Sequence, residues 1–260
     1  MKALYIAASG MKAQELNVEV ISNNVANMRT TGYKRQRADF QDLLYENQRR
    51  MGTQTSDTGT IVPNGVQIGS GVQTVATTRI MSQGTASQTG RELDVAIRGE
   101  GFFQIERPDG TTGYTRDGSF ARSDTGQLVT NDGYTVLPGV VIPENSRDIT
   151  INNQGLVQAM NDAGQVVNLG QIELARFVNK AGLEAIGDNL FLETEASGAP
   201  QVGTPEQDGF GGVKQGFIEA SNVDAVRELS DLIAAQRAYE MNSKIVQAAD
   251  QMYSTTSNLR

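Results

Sequence analysis

The sequence predicts an α+β fold. Long N- and C-terminal helices meet in a pair, and a mostly antiparallel β body lies between them. Two observations carry this. Near both ends apolar residues recur at helical spacing, whereas past Pro63 the period shortens to two and short apolar pieces alternate with glycine-containing turns.

The C-terminal stretch from Asn222 to about Leu259 reads as one helix. Leu232, Ala235, Tyr239, Asn242, Val246, Ala249 and Tyr253 form one apolar line, and Ala238, Met241, Ile245, Ala248 and Met252 form a second beside it. Arg237, Glu240, Lys244, Gln247 and Asp250 remain mainly for the other side. Ser221 or Asn222 can cap the start, and Asp224 and Glu228 suit the positive end of the helix dipole. At ~1.5 Å per residue the rod is about 50 Å long. So long an apolar face requires partners.

At the other end, from Lys2 to about Asn27, Leu4, Met11, Val18 and Val25 fall on heptad positions, with Ile6, Ala13, Leu16, Val20 and Ile21 beside them. Ala8 reinforces this line, while Glu15 and Ser22 interrupt it, so it is less regular than the C-terminal one. The spacing fits an antiparallel or coiled pair and fits equally an ordinary two-helix cap on a globular domain. Neither helix finds a complete apolar partner within the chain, so the terminal segments are expected to be largely disordered in the monomer and to fold on assembly.

The run Asn23-Asn24-Val25-Ala26-Asn27 followed by Thr31-Gly32-Tyr33-Lys34 ends the first helix, because Asn and Gly tolerate left-handed backbone. Phe40, Leu43 and Leu44 anchor the next segment, and Glu46 to Pro63 reads as an extended polar loop. Val66, Ile68 and Val72, then Leu93, Val95 and Ile97, alternate as strands do. Asp109-Gly110, Asp117-Gly118 and Asp132-Gly133 are turn signals, with Thr125-Gly126 and Ala163-Gly164 weaker ones. Between and after them lie strand pieces at 102–105, 127–129, 149–151, 172–178 and 190–192. The expected boundaries are 1–34 for the first helix, 35–70 for a connecting segment holding the loop 46–63, 71–215 for the β domain and 216–260 for the last helix.

Composition narrows the chemistry. The 260 residues contain no Cys, His or Trp. That excludes disulfides, thiolate nucleophiles, His-based triads and the usual zinc sites. Asp94, Glu100 and Glu106 are the residual carboxylate candidates for glycan cleavage, set at strand ends where acids are usually solvated. Gly99-Glu100-Gly101-Phe102 lacks the third glycine of a dinucleotide loop and reads as a turn admitting Phe102 and Phe103 to the core. No catalytic, cofactor-binding or metal-ligating residue is expected. A net charge of −8 disfavours nucleic acid. The charge is uneven, because residues 1–50 hold eight basic against five acidic side chains. No apolar run reaches the roughly 20 residues of a membrane span, and no cleavable signal peptide is expected.

Three blocks resemble the bacterial flagellar rod and hook family of axial proteins. The first is Ala8-Ser9-Gly10-Met11 with Asn23, Asn24, Asn27, Gly32 and Tyr33. The second is Leu93 to Gly99 with Gly101-Phe102-Phe103 and Tyr114 to Phe120. The third is Ser221 to Asp224 with Gln236, Arg237 and Tyr239. Met11 stands where the family usually has Leu, a volume-conserving change. The length does not admit a hook subunit's extra outer domain. The polar extension 46–63 resembles that of members at the distal end of the rod, a proximal subunit being the alternative.

The resemblance implies an inner coiled-coil domain lining an export channel and a β body facing surrounding rings. It implies self-assembly through Leu4, Met11, Val18, Val25, Leu232, Tyr239, Asn242, Val246, Ala249 and Tyr253. Its implied partners are other copies, proximal rod subunits, hook subunits, ring proteins and the flagellar export apparatus, with no nucleic acid and no membrane insertion. The implied place is the basal body, in a rod spanning the periplasm. A carboxylate glycan hydrolase and a secreted β-rich adhesin are the competing classes.

Overall fold

The computed structural model describes residues 2–49, 51 and 64–258. They form an α+β chain of two compact units, one from residues 1–25, 36–78 and 225–260 and the other from 26–35 and 79–224. The first unit holds both helices, α1 (Lys2–Ala26) and α2 (Ala225–Asn258). It also holds strands β1 (Gln36–Asp42), β2 (Tyr45–Arg49), β3 (Val66–Gly69) and most of β4 (Val72–Arg79).

β1 pairs with β4, and β2 pairs with β3. Residues 46–49, expected within the polar loop, are therefore strand. Every residue of β2 is exposed, so the sequence offers no alternation to reveal it. The remainder of the expected loop lies outside the described residues, apart from Met51. α2 begins at Ala225 rather than Asn222, because the Asn222 side chain is engaged elsewhere. It accepts from the Arg35 N–H at 2.7 Å and donates to the carbonyls of Ile80 and Ser82.

The second unit is built of short strands. In order they are β5 (Ala86–Gln88), β6 (Val95–Arg98), β7 (Phe102–Glu106), β8 (Thr112–Thr115), β9 (Phe120–Arg122), β10 (Leu128–Thr130) and β11 (Thr135–Val136). Then come β12 (Arg147–Ile151), β13 (Leu156–Met160), β14 (Val166–Gln171) and β15 (Leu174–Arg176). The last are β16 (Glu184–Gly187), β17 (Leu190–Leu192), β18 (Gln201–Gly203), β19 (Gly212–Gln215) and β20 (Phe217–Glu219).

A nine-stranded sheet runs β16-β17-β8-β7-β11-β10-β9, with β15 joining β7 to β18. β12-β13-β14 form a three-stranded sheet, and β6 with β19 and β5 with β20 form ribbons. Asp109-Gly110 turns β7 into β8, and Gly110 takes φ +79°, a left-handed conformation that carries no side-chain clash in glycine. Asp117-Gly118 departs from the turn reading. A Cβ on Gly118 would lie 1.7 Å from the Val95 carbonyl, so this glycine serves a close approach of two backbones.

The strand period decides the core. Phe102 and Phe103 are adjacent on β7 and point to opposite faces, and both are buried. Phe103 packs edge-on to Phe120 at 5.0 Å in a cluster with Val95, Ile97 and Ile105. Phe102 joins Tyr114, Phe177 and Phe191 in a second cluster, with Tyr114 and Phe177 at 4.8 Å. Such edge-to-face contacts add about 1 kcal/mol each beyond area burial.

Candidate assembly surface

The two helices of the first unit meet at Asn24–Glu228 and at Gly10–Asn242. The Asn24 amide donates to the Glu228 carboxylate at 3.0 Å. A Cβ on Gly10 would lie 2.9 Å from Nδ2 of Asn242, so the Asn242 side chain rests directly on this glycine. Asn24 lies fourteen residues beyond Gly10, and Glu228 lies fourteen before Asn242. The contacts therefore run in opposite senses along the two chains and define an antiparallel pair over about 20 Å.

Short side chains permit this approach. The buried residues of α1 are Ala7, Ala13, Val20, Ile21 and Asn24. The heptad positions Leu4, Met11, Val18 and Val25 sit beside them and are only half-buried. Ser9 serves the opposite flank, donating its hydroxyl to Ile6 O at 2.7 Å and accepting from Val72 N–H at 3.3 Å. Asn24 also ties down β1, accepting from Gln36 N–H at 2.9 Å and donating to Gln36 O at 2.8 Å.

On α2, Glu228, Ala235 and Ala249 are buried and Leu232, Asn242 and Val246 are half-buried. Tyr239 and Tyr253, placed on the same line by spacing, are exposed, as are Gln236 and Arg237. Beyond this line the helix presents Val226, Leu229, Ile233, Met241, Ile245 and Met252 to solvent, each at least half exposed or nearly so. The apolar face of α2 is thus wider than the strip α1 covers.

The second unit contains a buried ionic hub that periodicity did not reveal. Lys34, Arg116 and Glu219 are 1–3% exposed at their side chains. Lys34 Nζ lies 2.5 Å from Glu219 Oε1 and donates to Ser82 O at 2.9 Å. Arg116 reaches Glu219 Oε2 at 3.3 Å and donates to Gly99 O at 2.7 Å, with its guanidinium over the Phe102 ring. Glu219 Oε1 further accepts from Gly84 N–H at 2.8 Å. Loss of hydration pulls the Lys34 ammonium below the ordinary lysine range, and the Glu219 carboxylate works against that shift.

Gly32 delivers Lys34 to this hub. Its N–H donates to Glu219 O at 2.8 Å, its φ is +70°, and a Cβ there would meet Asp117 N at 2.8 Å. Tyr33, beside it, is half-buried. Asn24, Gly32 and Lys34 thus have physical work in the run resembling the axial family, while Asn23 is exposed and Asn27 half-buried at the helix end.

Two of the three carboxylates that could have served catalysis are otherwise engaged. Asp94 is buried, accepts from Thr89 Oγ1 at 2.6 Å and lies 3.6 Å from Arg91. Glu100 pairs with Lys180, and Glu106 is exposed at the end of β7.

Comparison with known proteins agrees along the whole chain. Residues 4–34 match the family described as flagella basal body rod protein. Residues 96–159 match the flagellar hook protein FlgE/F/G D1 domain, and 214–259 match the flagellar basal body rod FlgEFG protein C-terminal family. The hub draws one residue from each match, Lys34, Arg116 and Glu219. The flagellar basal-body rod protein FlgG of Caulobacter vibrioides is 58% identical over 261 residues, covering 100% of both chains. Its counterpart in Agrobacterium fabrum is 54% identical over 99% of this chain and 98% of its own, and that of Bacillus subtilis 38% over 100% and 99%. With such identity over its full length, the chain belongs to the flagellar basal-body rod family, whose members are structural proteins and not enzymes.

Proposed function

We propose that this chain is a subunit of the distal rod of the flagellar basal body, polymerising head-to-tail into a rigid hollow shaft that carries torque from motor to hook. One observation supports this most: the exposed apolar line Met241, Ile245 and Met252, on a helix whose neighbouring line is covered only in part. Covering half-exposed side chains of this size on a neighbour is worth on the order of 1 kcal/mol each. A repeated contact whose rotation does not close generates a helix of subunits.

In this reading the antiparallel α1–α2 pair becomes part of a coiled-coil inner wall. Tyr239 and Tyr253 leave solvent there, together with the half-buried Leu4, Met11, Val18 and Val25. The β body faces outward to the rings, and the ends of the shaft meet proximal rod and hook subunits. Export through the flagellar apparatus, without cleavage, delivers the chain to the growing tip. Analytical sedimentation and negative-stain imaging across a concentration series test the proposal: filaments or long oligomers are expected. A strictly monomeric chain at every concentration refutes it.

A further inference from the structure

Residues 26–35 follow α1 in the sequence but fold with the second unit, together with 79–224. They are fixed there at successive points. Gly32 N–H donates to Glu219 O at 2.8 Å, and Lys34 enters the ionic hub. Arg35 N–H donates to Asn222 Oδ1 at 2.7 Å, while Arg35 O accepts from Ile80 N–H at 2.8 Å. The Asn222 amide donates in turn to Ile80 O at 2.9 Å. The stretch leading out of α1 is thereby stitched to the stretch leading into α2, Gly32 to Glu219 and Arg35 to Asn222.

The register of this seam is determined twice. Gly32 approaches the neighbouring backbone so closely that a Cβ would lie 2.8 Å from Asp117 N, and its φ is +70°. Two residues on, Lys34 supplies a buried ammonium to Glu219. A slip of one residue in either direction brings Thr31 or Tyr33, each with a Cβ, against the Asp117 backbone and takes the ammonium away from Glu219. A buried ion pair is a poor source of net stability, and its best-attested use is to select one register over another. The arrangement therefore acts on which segments meet.

We propose that this seam is a clamp that sets the partner of α1: by holding the two helix roots together, it makes each α1 pair with the α2 of its own chain and not with that of another copy. With the clamp closed, eight residues lead from Gly32 back to Asn24 and nine from Glu219 on to Glu228, so the helix contact closes a loop of about 17 residues. With 26–35 released and the β body intact, the path runs through 36–79 and re-enters at Ile80, about 65 residues of chain. Closure probability falls roughly as the 3/2 power of loop length, so the clamp raises the local concentration of the chain's own α2 about sevenfold. Exchange of α1 between copies, a low-cost route to swapped dimers, is suppressed by the same factor. The inference stands on the α1–α2 pair and not on the polymer.

The test uses the full chain, which has no cysteine of its own, so introduced thiols report only where they are placed. Gly10→Cys and Asn242→Cys are carried by separate preparations, which are mixed at a concentration that keeps the chain monomeric and then oxidised. Because the Asn242 side chain rests on Gly10, a disulfide joining the two preparations records exchange of helices between copies. Little of it is expected in the otherwise unsubstituted chain. Adding Gly32→Ala or Lys34→Met to both preparations is expected to raise it about sevenfold. Hydrogen exchange on the same variants reads the clamp directly: the Arg35 and Ile80 amides are expected to lose protection, while the Val95 amide, bonded to Gly118 O inside the β body, keeps it. Cross-linking that neither substitution changes overturns the proposal. So does a Val95 amide that opens together with Arg35, because the seam is then inseparable from the stability of the β body and is no clamp.

Discussion

The Asn24 side-chain amide and the Glu228 carboxylate meet at 3.0 Å across 204 residues of sequence, and neither is open to solvent. Asn24 also closes a two-way bond with the Gln36 backbone, so one side chain joins α1, β1 and the first turn of α2. The carboxylate sits where the α2 dipole is positive, which offsets part of its desolvation. Asn24→Ala removes all three bonds at once and is expected to cost about 3 kcal/mol in denaturant unfolding. Asn24→Asp is expected to be worse, since it sets a second carboxylate against Glu228.

In the ionic hub the order of damage follows from the charges. Glu219 answers both Lys34 and Arg116, so Glu219→Gln leaves two buried cations facing each other and is expected to cost about 3–5 kcal/mol. Lys34→Met leaves the Arg116–Glu219 pair intact and fills similar volume, so it is expected to cost clearly less. Chemical denaturation of the two variants under identical conditions checks the ranking, and equal losses contradict it.

Much of this fold was legible from residue spacing. The helices appear because their partners lie at fixed local intervals, and the β7–β8 turn because Asp109-Gly110 meets a local backbone demand. Strand 190–192 falls where its apolar residues place it. The hub was not legible: its contacts span 103 and 185 residues, and no local period records which distant charge will be buried with which. β2 was missed for the opposite reason, since a strand exposed on both faces carries no alternation. On α2 spacing alone could not separate the part α1 covers from the part left open.

Tyr114 gives a pH dependence of definite sign. Burial, and after it the nearby Glu193 carboxylate, pushes its phenol up to about 12. In the unfolded chain the phenol ionises near the ordinary value of about 10. Between these values the folded chain keeps a proton that the unfolded chain has released, so the contribution is complete below pH ~10 and disappears as pH rises through about 12. Thermal melts are expected to fall more steeply over this window for the unsubstituted chain than for Tyr114→Phe. Parallel curves for the two proteins contradict the assignment.

The two apolar lines of α2 separate folding from assembly. Ala249 is buried within the unit, so Ala249→Gln forces a long polar side chain into a tight site and is expected to lower monomer stability by about 1–3 kcal/mol. Ile245 stands one turn earlier on the open line, and Ile245→Gln exchanges one exposed side chain for another at a cost expected within about 0.5 kcal/mol. Assembly should respond differently, because Ile245→Gln deletes apolar area that only a neighbouring copy can cover. This variant is therefore expected to melt like the unsubstituted chain and yet need a several-fold higher concentration to form polymer in sedimentation. If it assembled at the unsubstituted concentration, the open line would lie outside the subunit contact.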